Sequence, residues 1–148
     1  MPDIEIPDSL RAIAGTELTP GTIVIPPSEA ELVTAVLGTP APADQLHPVY
    51  AYIASQRGIG ISVAELCAIA GFDIDDGPML GSIDFEYPGV MRAGVEYRVE
   101  GTILDITRKQ GRAVGVFDLL LFQWRIVEDG AVVTSCTCTF VLPRKEFR

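Results

Sequence analysis

Basic residues, histidine and long apolar runs are all scarce in this chain, and each scarcity excludes something. Only 11 Lys and Arg stand against 20 Asp and Glu, a net charge of −9. Nucleic acid is a poor partner for such a surface, because phosphate binding needs a positive field. An anionic ligand would have to meet local Arg or Lys that overcome the global charge. No apolar stretch reaches the roughly 18 residues that a membrane-spanning helix needs. The first residues, Met1 to Pro7, carry acids and no basic apolar leader, so secretion is not expected. The three cysteines, Cys67, Cys136 and Cys138, are odd in number and lack framework spacing, which points to a reducing cytoplasm. His47 is the sole histidine and lies far from all of them, so no metal site is implied.

What remains describes one ordinary globular domain. The 148 residues are 48% hydrophobic and 21% charged, enough to build a core and too apolar for disorder. The first half reads as short helices. One is expected near Ser9 to Ala14, followed by a weak strand over Thr22 to Ile25. Ser28-Glu29-Ala30-Glu31 has the capping-box pattern and opens a helix that Gly38 stops. Thr39 to Ala43 reads as loop, and His47-Pro48 can start a helix running to about Gln56. A second capping box, Ser62-Val63-Ala64-Glu65, opens a segment that is apolar on nearly every side up to Gly71. Such a helix is expected to be buried.

The second half reads as strands. Met79 to Glu86 can be one. Val95, Tyr97, Val99 and Ile103 alternate with polar residues. Val114 to Val127 is apolar on both faces near Leu119 to Phe122 and is expected to be central. Glu128-Asp129-Gly130 signals a hairpin leading into Val132 to Leu142. A buried helix followed by long antiparallel strands predicts an α+β domain whose curved sheet wraps the helix.

Several segments in this order carry a resemblance. Phe85-Glu86-Tyr87-Pro88, then Gly94-Val95-Glu96-Tyr97, is similar to the Phe-x-x-Pro segment and strand start of the MaoC-like hydratase/dehydratase family of hotdog proteins. Gly58 to Gly71 resembles that family's central helix and its glycine-rich entrance. The resemblance covers about two-thirds of the chain, Ala43 to Arg144. It implies the hotdog fold and the hydration of enoyl thioesters, or dehydration of 3-hydroxyacyl thioesters, carried on CoA or an acyl carrier protein. It implies no metal or redox cofactor. It also implies a dimer, homomeric or with a related hotdog subunit, in which two sheets join.

The family's catalytic pattern is Asp-x-Asn-Pro-x-His, and this chain departs from it. The matching stretch is Asp44-Gln45-Leu46-His47-Pro48-Val49-Tyr50. With the prolines aligned, His47 falls where asparagine is usual and Tyr50 where the catalytic histidine is usual. Two readings stay open. Asp44 and His47, three apart, meet on a helical turn and handle water, with Tyr50 donating a hydrogen bond. Alternatively Asp44 caps the helix, His47 is a boundary residue, Tyr50 packs, and the chain is a non-catalytic subunit or acyl-thioester-binding partner. An acyl-CoA thioesterase is a third reading, with Glu65 its one candidate carboxylate.

Further candidates follow from charge and position. Backbone N–H groups at Gly58, Gly60, Ile61 and Ser62 suit a thioester carbonyl oxygen that gains negative charge; a tight turn explains the glycines equally. Asp118 interrupts an apolar strand and either lines the acyl site or sits at a barrel end open to water. Arg108, Lys109 and Arg112 form a basic cluster that suits CoA phosphates, or else a solvated hairpin tip. Arg144, Lys145 and Arg148 present the same choice. Cys136 and Cys138 read as strand packing residues.

Overall fold

In the computed structural model, residues 4–40 and 44–147 are described. The reading of 41–43 as loop and the terminal Arg148 lie outside them. The elements in chain order are α1 (Asp8–Arg11), β1 (Glu17–Val24), α2 (Pro27–Leu37), α3 (Tyr50–Gly58), α4 (Val63–Ile69), β2 (Met79–Glu86), β3 (Glu96–Gly111), β4 (Gly115–Glu128) and β5 (Ala131–Pro143). The five strands make one antiparallel sheet in the order β1-β3-β4-β5-β2. Strand β4 is central, as its two-faced apolarity predicts. β1 and β2 are the edges, and β2 is the more exposed, with Met79 and Leu80 each about half in solvent.

The helix against the sheet is α3, not the segment beginning at Ser62. Its buried residues are Tyr50, Ala51, Ala54, Ser55 and Gly58, which recur at i, i+4 and i+8 and so share one face. Four of the five are small, which lets the helix axis approach the strands closely. Across from it lie Tyr97, Val99 and Ile103 of β3, Phe122, Trp124 and Ile126 of β4, and Cys136 and Cys138 of β5, all essentially buried. Strand β3 runs unbroken through Gly101. A Cβ at Gly101 would collide with the Trp124 ring, so the glycine makes room for the largest side chain of the core.

Helix α4 lies to one side. Its capping box forms as the sequence predicts: Ser62 Oγ accepts from Glu65 N–H at 3.1 Å, and Ser62 N–H donates to Glu65 Oε2 at 2.7 Å. Only Leu66 and Cys67 of the helix are buried, whereas Ala64, Ala68 and Ile69 are exposed. The expectation of all-round burial is therefore corrected. A seven-residue helix rich in small side chains needs only one buried edge to be held. The other capping box does not form. The residue preceding α2 is Pro26, Pro27 occupies the first turn, and Ser28 makes no capping bond.

One polar cluster penetrates the core. Arg108 on β3 is directly opposite Asp118 on β4. Arg108 Nε donates to Asp118 Oδ1 at 2.7 Å and Nη2 to Oδ2 at 3.0 Å, and Arg144 Nε donates to Oδ2 at 2.7 Å. Asp118 is fully buried and both arginines nearly so. Arg144 also donates to the carbonyls of Ala70 and Gly71, each at 2.7 Å, and so ties the end of α4 to the sheet. A cation at a helix C-terminus is favourably placed for the carbonyls it meets there.

Candidate functional site

A groove runs along α3 where it faces β2 and β5. It consists of three cavities that share lining residues. The outer one, about 360 Å³, is bounded by Leu46, His47, Pro48, Ala51 and Tyr87. The middle one, about 460 Å³ and open to solvent, adds Tyr52, Leu80, Ile83 and Phe85. The inner one, about 190 Å³, is walled by Leu66, Phe122, Trp124, Cys138 and Phe140. His47, Pro48 and Tyr87 join the first two, and Tyr52 and Leu80 join the last two. The lining is mainly apolar, which suits a hydrocarbon chain more than a polar ligand. Tyr87 reaches across the groove, its hydroxyl donating to the Pro48 carbonyl at 3.2 Å.

The proposed dyad is not assembled. Asp44 is exposed, sits at φ 64°, and shares no hydrogen bond or ion pair with His47. His47 lines the groove, and its Nδ1 accepts the Val49 backbone N–H at 3.1 Å. This leaves Nε2 to carry the proton of the neutral ring. Tyr50 does not reach the groove. It is on the buried face of α3, and its hydroxyl is buried with no hydrogen-bond partner. Burial pushes its pKa up, the charge of Glu29 adds to this, and Arg57 opposes it. Glu29 stands close but is engaged by Arg57.

The glycine-rich turn also differs from the expected carbonyl pocket. Gly58 lies at the C-terminal end of α3, against Ile23 and Val99, where a helix presents carbonyls and not N–H groups. Gly60 passes so near β1 that a Cβ there would strike the Thr19 and Pro20 carbonyl oxygens. Ile61 is half-buried and packs on the core margin. The Ser62 N–H is taken by Glu65. That bond also occupies the one carboxylate considered for a thioesterase.

The charged candidates are likewise relocated. Asp118 neither lines the groove nor meets water; its two arginines explain a carboxylate in an apolar strand. Arg108 is consumed in the same cluster and is withdrawn as a phosphate ligand; hydrogen bonding to Asp118 raises its pKa further. Lys109 is half-buried, and Arg112 is exposed in the turn between β3 and β4. Neither lines the groove. Lys145 pairs with Asp76 at 3.0 Å. Sequence reasoning missed Tyr52, Leu80, Ile83 and Phe140 as groove residues. The available signal was apolar side chains left exposed on α3 and on an edge strand. Among the described residues no group of His, Cys, Asp and Glu is arranged to hold a metal, and no helix is long and apolar enough to cross a membrane.

No family model matches the sequence, and no curated protein matches it. Solved structures do share its architecture. A MaoC-like dehydratase from Rhodospirillum rubrum is 16% identical, with a TM-score of 0.60 over 89% of this chain and 93% of that one. The ChsH1-ChsH2 complex from Mycobacterium tuberculosis gives a TM-score of 0.68 at 11% identity, covering 91% of this chain and 87% of that one. A hypothetical thioesterase from Streptococcus pneumoniae gives 0.54 at 12% identity, covering 88% and 85%. At such identities the likeness is one of fold. A curved five-stranded sheet around α3, in this strand order, is the hotdog fold, in the form that MaoC-like dehydratases also take.

Proposed function

We propose that the chain is a MaoC-like hotdog subunit that holds the acyl part of a thioester and completes a hydratase or dehydratase whose catalytic pair stands on a partner. One observation carries this reading: a continuous apolar groove persists along α3 while the residues expected to do chemistry there are dispersed. Hydration of an enoyl thioester needs a base for water, an acid for the α-carbon and donors for the enolate oxygen. Here Asp44 is in solvent, Tyr50 is sealed under α3, and the Ser62 N–H is taken by Glu65. The named neighbours include a two-component complex, which favours a related hotdog chain as partner. The free β2 edge is suited to continuing the sheet into such a partner. In the groove, each buried methylene contributes about 0.8 kcal/mol, so affinity rises with acyl length until the inner cavity is full.

A second reading keeps His47 as a lone acid/base, because it lines the groove and has one ring nitrogen uncommitted. Enoyl-CoA absorbance separates the two. The subunit reading expects no loss of conjugation from this chain alone, and loss when a catalytically complete hotdog partner is added. Turnover by the isolated chain that His47→Ala abolishes and Asp44→Asn leaves unchanged would replace it with the second reading.

A further inference from the structure

Cys136 and Cys138 are two residues apart on β5, so their side chains leave the sheet on the same face. Both are free thiols, both are buried, and their sulfurs are 3.4 Å apart. The register sets Cys136 between Trp124 and Phe85, and Cys138 between Phe122 and Ile83. Cys138 also forms part of the wall of the 190 Å³ inner cavity, so a small molecule that fills the cavity packs against this residue. Either thiol can donate in this contact, and the partner that accepts is the one whose thiolate the bond favours. Cys67 is buried apart from them, and burial raises its thiol pKa.

We propose that Cys136 and Cys138 form a dithiol modification site, reached through the inner cavity, that a small alkyl hydroperoxide converts reversibly to an intrastrand disulfide. The Cys138 thiolate attacks one peroxide oxygen. The O–O bond breaks, Cys138 becomes a sulfenic acid, and the departing alkoxide takes a proton to become an alcohol. The Cys136 sulfur then attacks the sulfenic sulfur. The S–S bond forms, the S–O bond breaks, and the hydroxyl leaves as water with the Cys136 proton. In sum, two thiols give up two electrons and two protons, and the hydroperoxide is reduced to alcohol and water. Residues two apart on a strand have Cα atoms about 6.6–6.8 Å apart. That is near the upper limit for bridging, so the bond is strained and readily reduced by a free thiol. The site depends on the two sulfurs and the cavity, not on what else the groove binds.

The test uses the full, reduced, folded chain treated with one equivalent of tert-butyl hydroperoxide, then alkylated and analysed by peptide mass spectrometry. The expected product has Cys136 and Cys138 bonded within one peptide, Cys67 alkylated, and full reversal by dithiothreitol. In Cys136→Ser, dimedone should trap a sulfenic acid on Cys138. Oxidation of Cys67 first, sulfinic acid on either cysteine without a disulfide, or reaction only in denaturant would overturn the proposal. A measurement that leaves the pair intact titrates Cys67→Ser with phenylarsine oxide, which bridges two adjacent thiols with loss of water. One equivalent should bind the folded protein and block later oxidation; binding only after denaturation would refute the site.

Discussion

Replacing Asp118 by Asn probes the polar cluster that joins β3, β4, the C-terminal segment and α4. Asp118 is fully buried and accepts three short hydrogen bonds from Arg108 and Arg144. Asparagine keeps one acceptor oxygen but turns an NH₂ donor toward guanidinium donors, and it removes the negative charge. Two nearly buried cations then lose their buried counter-ion, and only the exposed Glu146 carboxylate, 3.9 Å from Arg144 Nη1, remains beside them. Removing one partner of a buried ion pair costs about 3–5 kcal/mol. A domain of this kind has a total stability of roughly 5–15 kcal/mol, so a large share of it is at stake. The midpoint of thermal unfolding should fall by roughly 6–20 °C for a chain of this size. Urea unfolding followed by circular dichroism at fixed pH reads this directly. A loss below about 1 kcal/mol would show that Arg108 and Arg144 find other partners, and would refute the description of the cluster as the tie between sheet and helix.

Tyr50→Phe should raise stability by about 1 kcal/mol, since it removes a buried hydroxyl that has no partner. It should also flatten the alkaline decline. The Tyr50 pKa is raised above its ordinary 10.0 in the folded chain, so the unfolded chain loses its proton first. Stability is then intact below about pH 10 and lost as pH rises through the folded value, which unfolding midpoints between pH 8 and 11 will show. Gly101→Ala should cost about 1–3 kcal/mol by driving a methyl into the Trp124 ring, measured by the same urea titration. Leu80→Lys places a charge on the exposed β2 edge and should shift an assembled species to monomer in light scattering; an unchanged mass would exclude that edge as the interface.

The sheet was legible because its strands are long and their residues alternate. The bounds of β2, the centrality of β4 and the hairpin at Asp129-Gly130 all follow from local pattern and turn chemistry. The central helix was misplaced because all-round apolarity and burial are different properties. Ala64, Ala68 and Ile69 are apolar yet face solvent. The helix that does pack on the sheet carries Ser55, Gln56 and Arg57, and is read only from the small-residue spacing of Ala51, Ala54, Ser55 and Gly58. The charged residues misled for a related reason. Arg108 and Arg144 look like surface cations until the register sets Arg108 opposite Asp118 and the chain end returns to meet them. No local pattern reports a contact between residues 26 apart. The groove was invisible because its walls come from α3, α4, β2, β4 and β5 together.

The most direct test of the acyl groove is an NMR titration of the labelled chain with hexanoyl-CoA, a saturated thioester that no hydratase can convert. The account predicts saturable shifts at Tyr52, Leu80, Ile83 and Cys138, with Asp44 unmoved. Shifts confined to the turn around Arg112, or no saturable shift along α3 and β2, would contradict it.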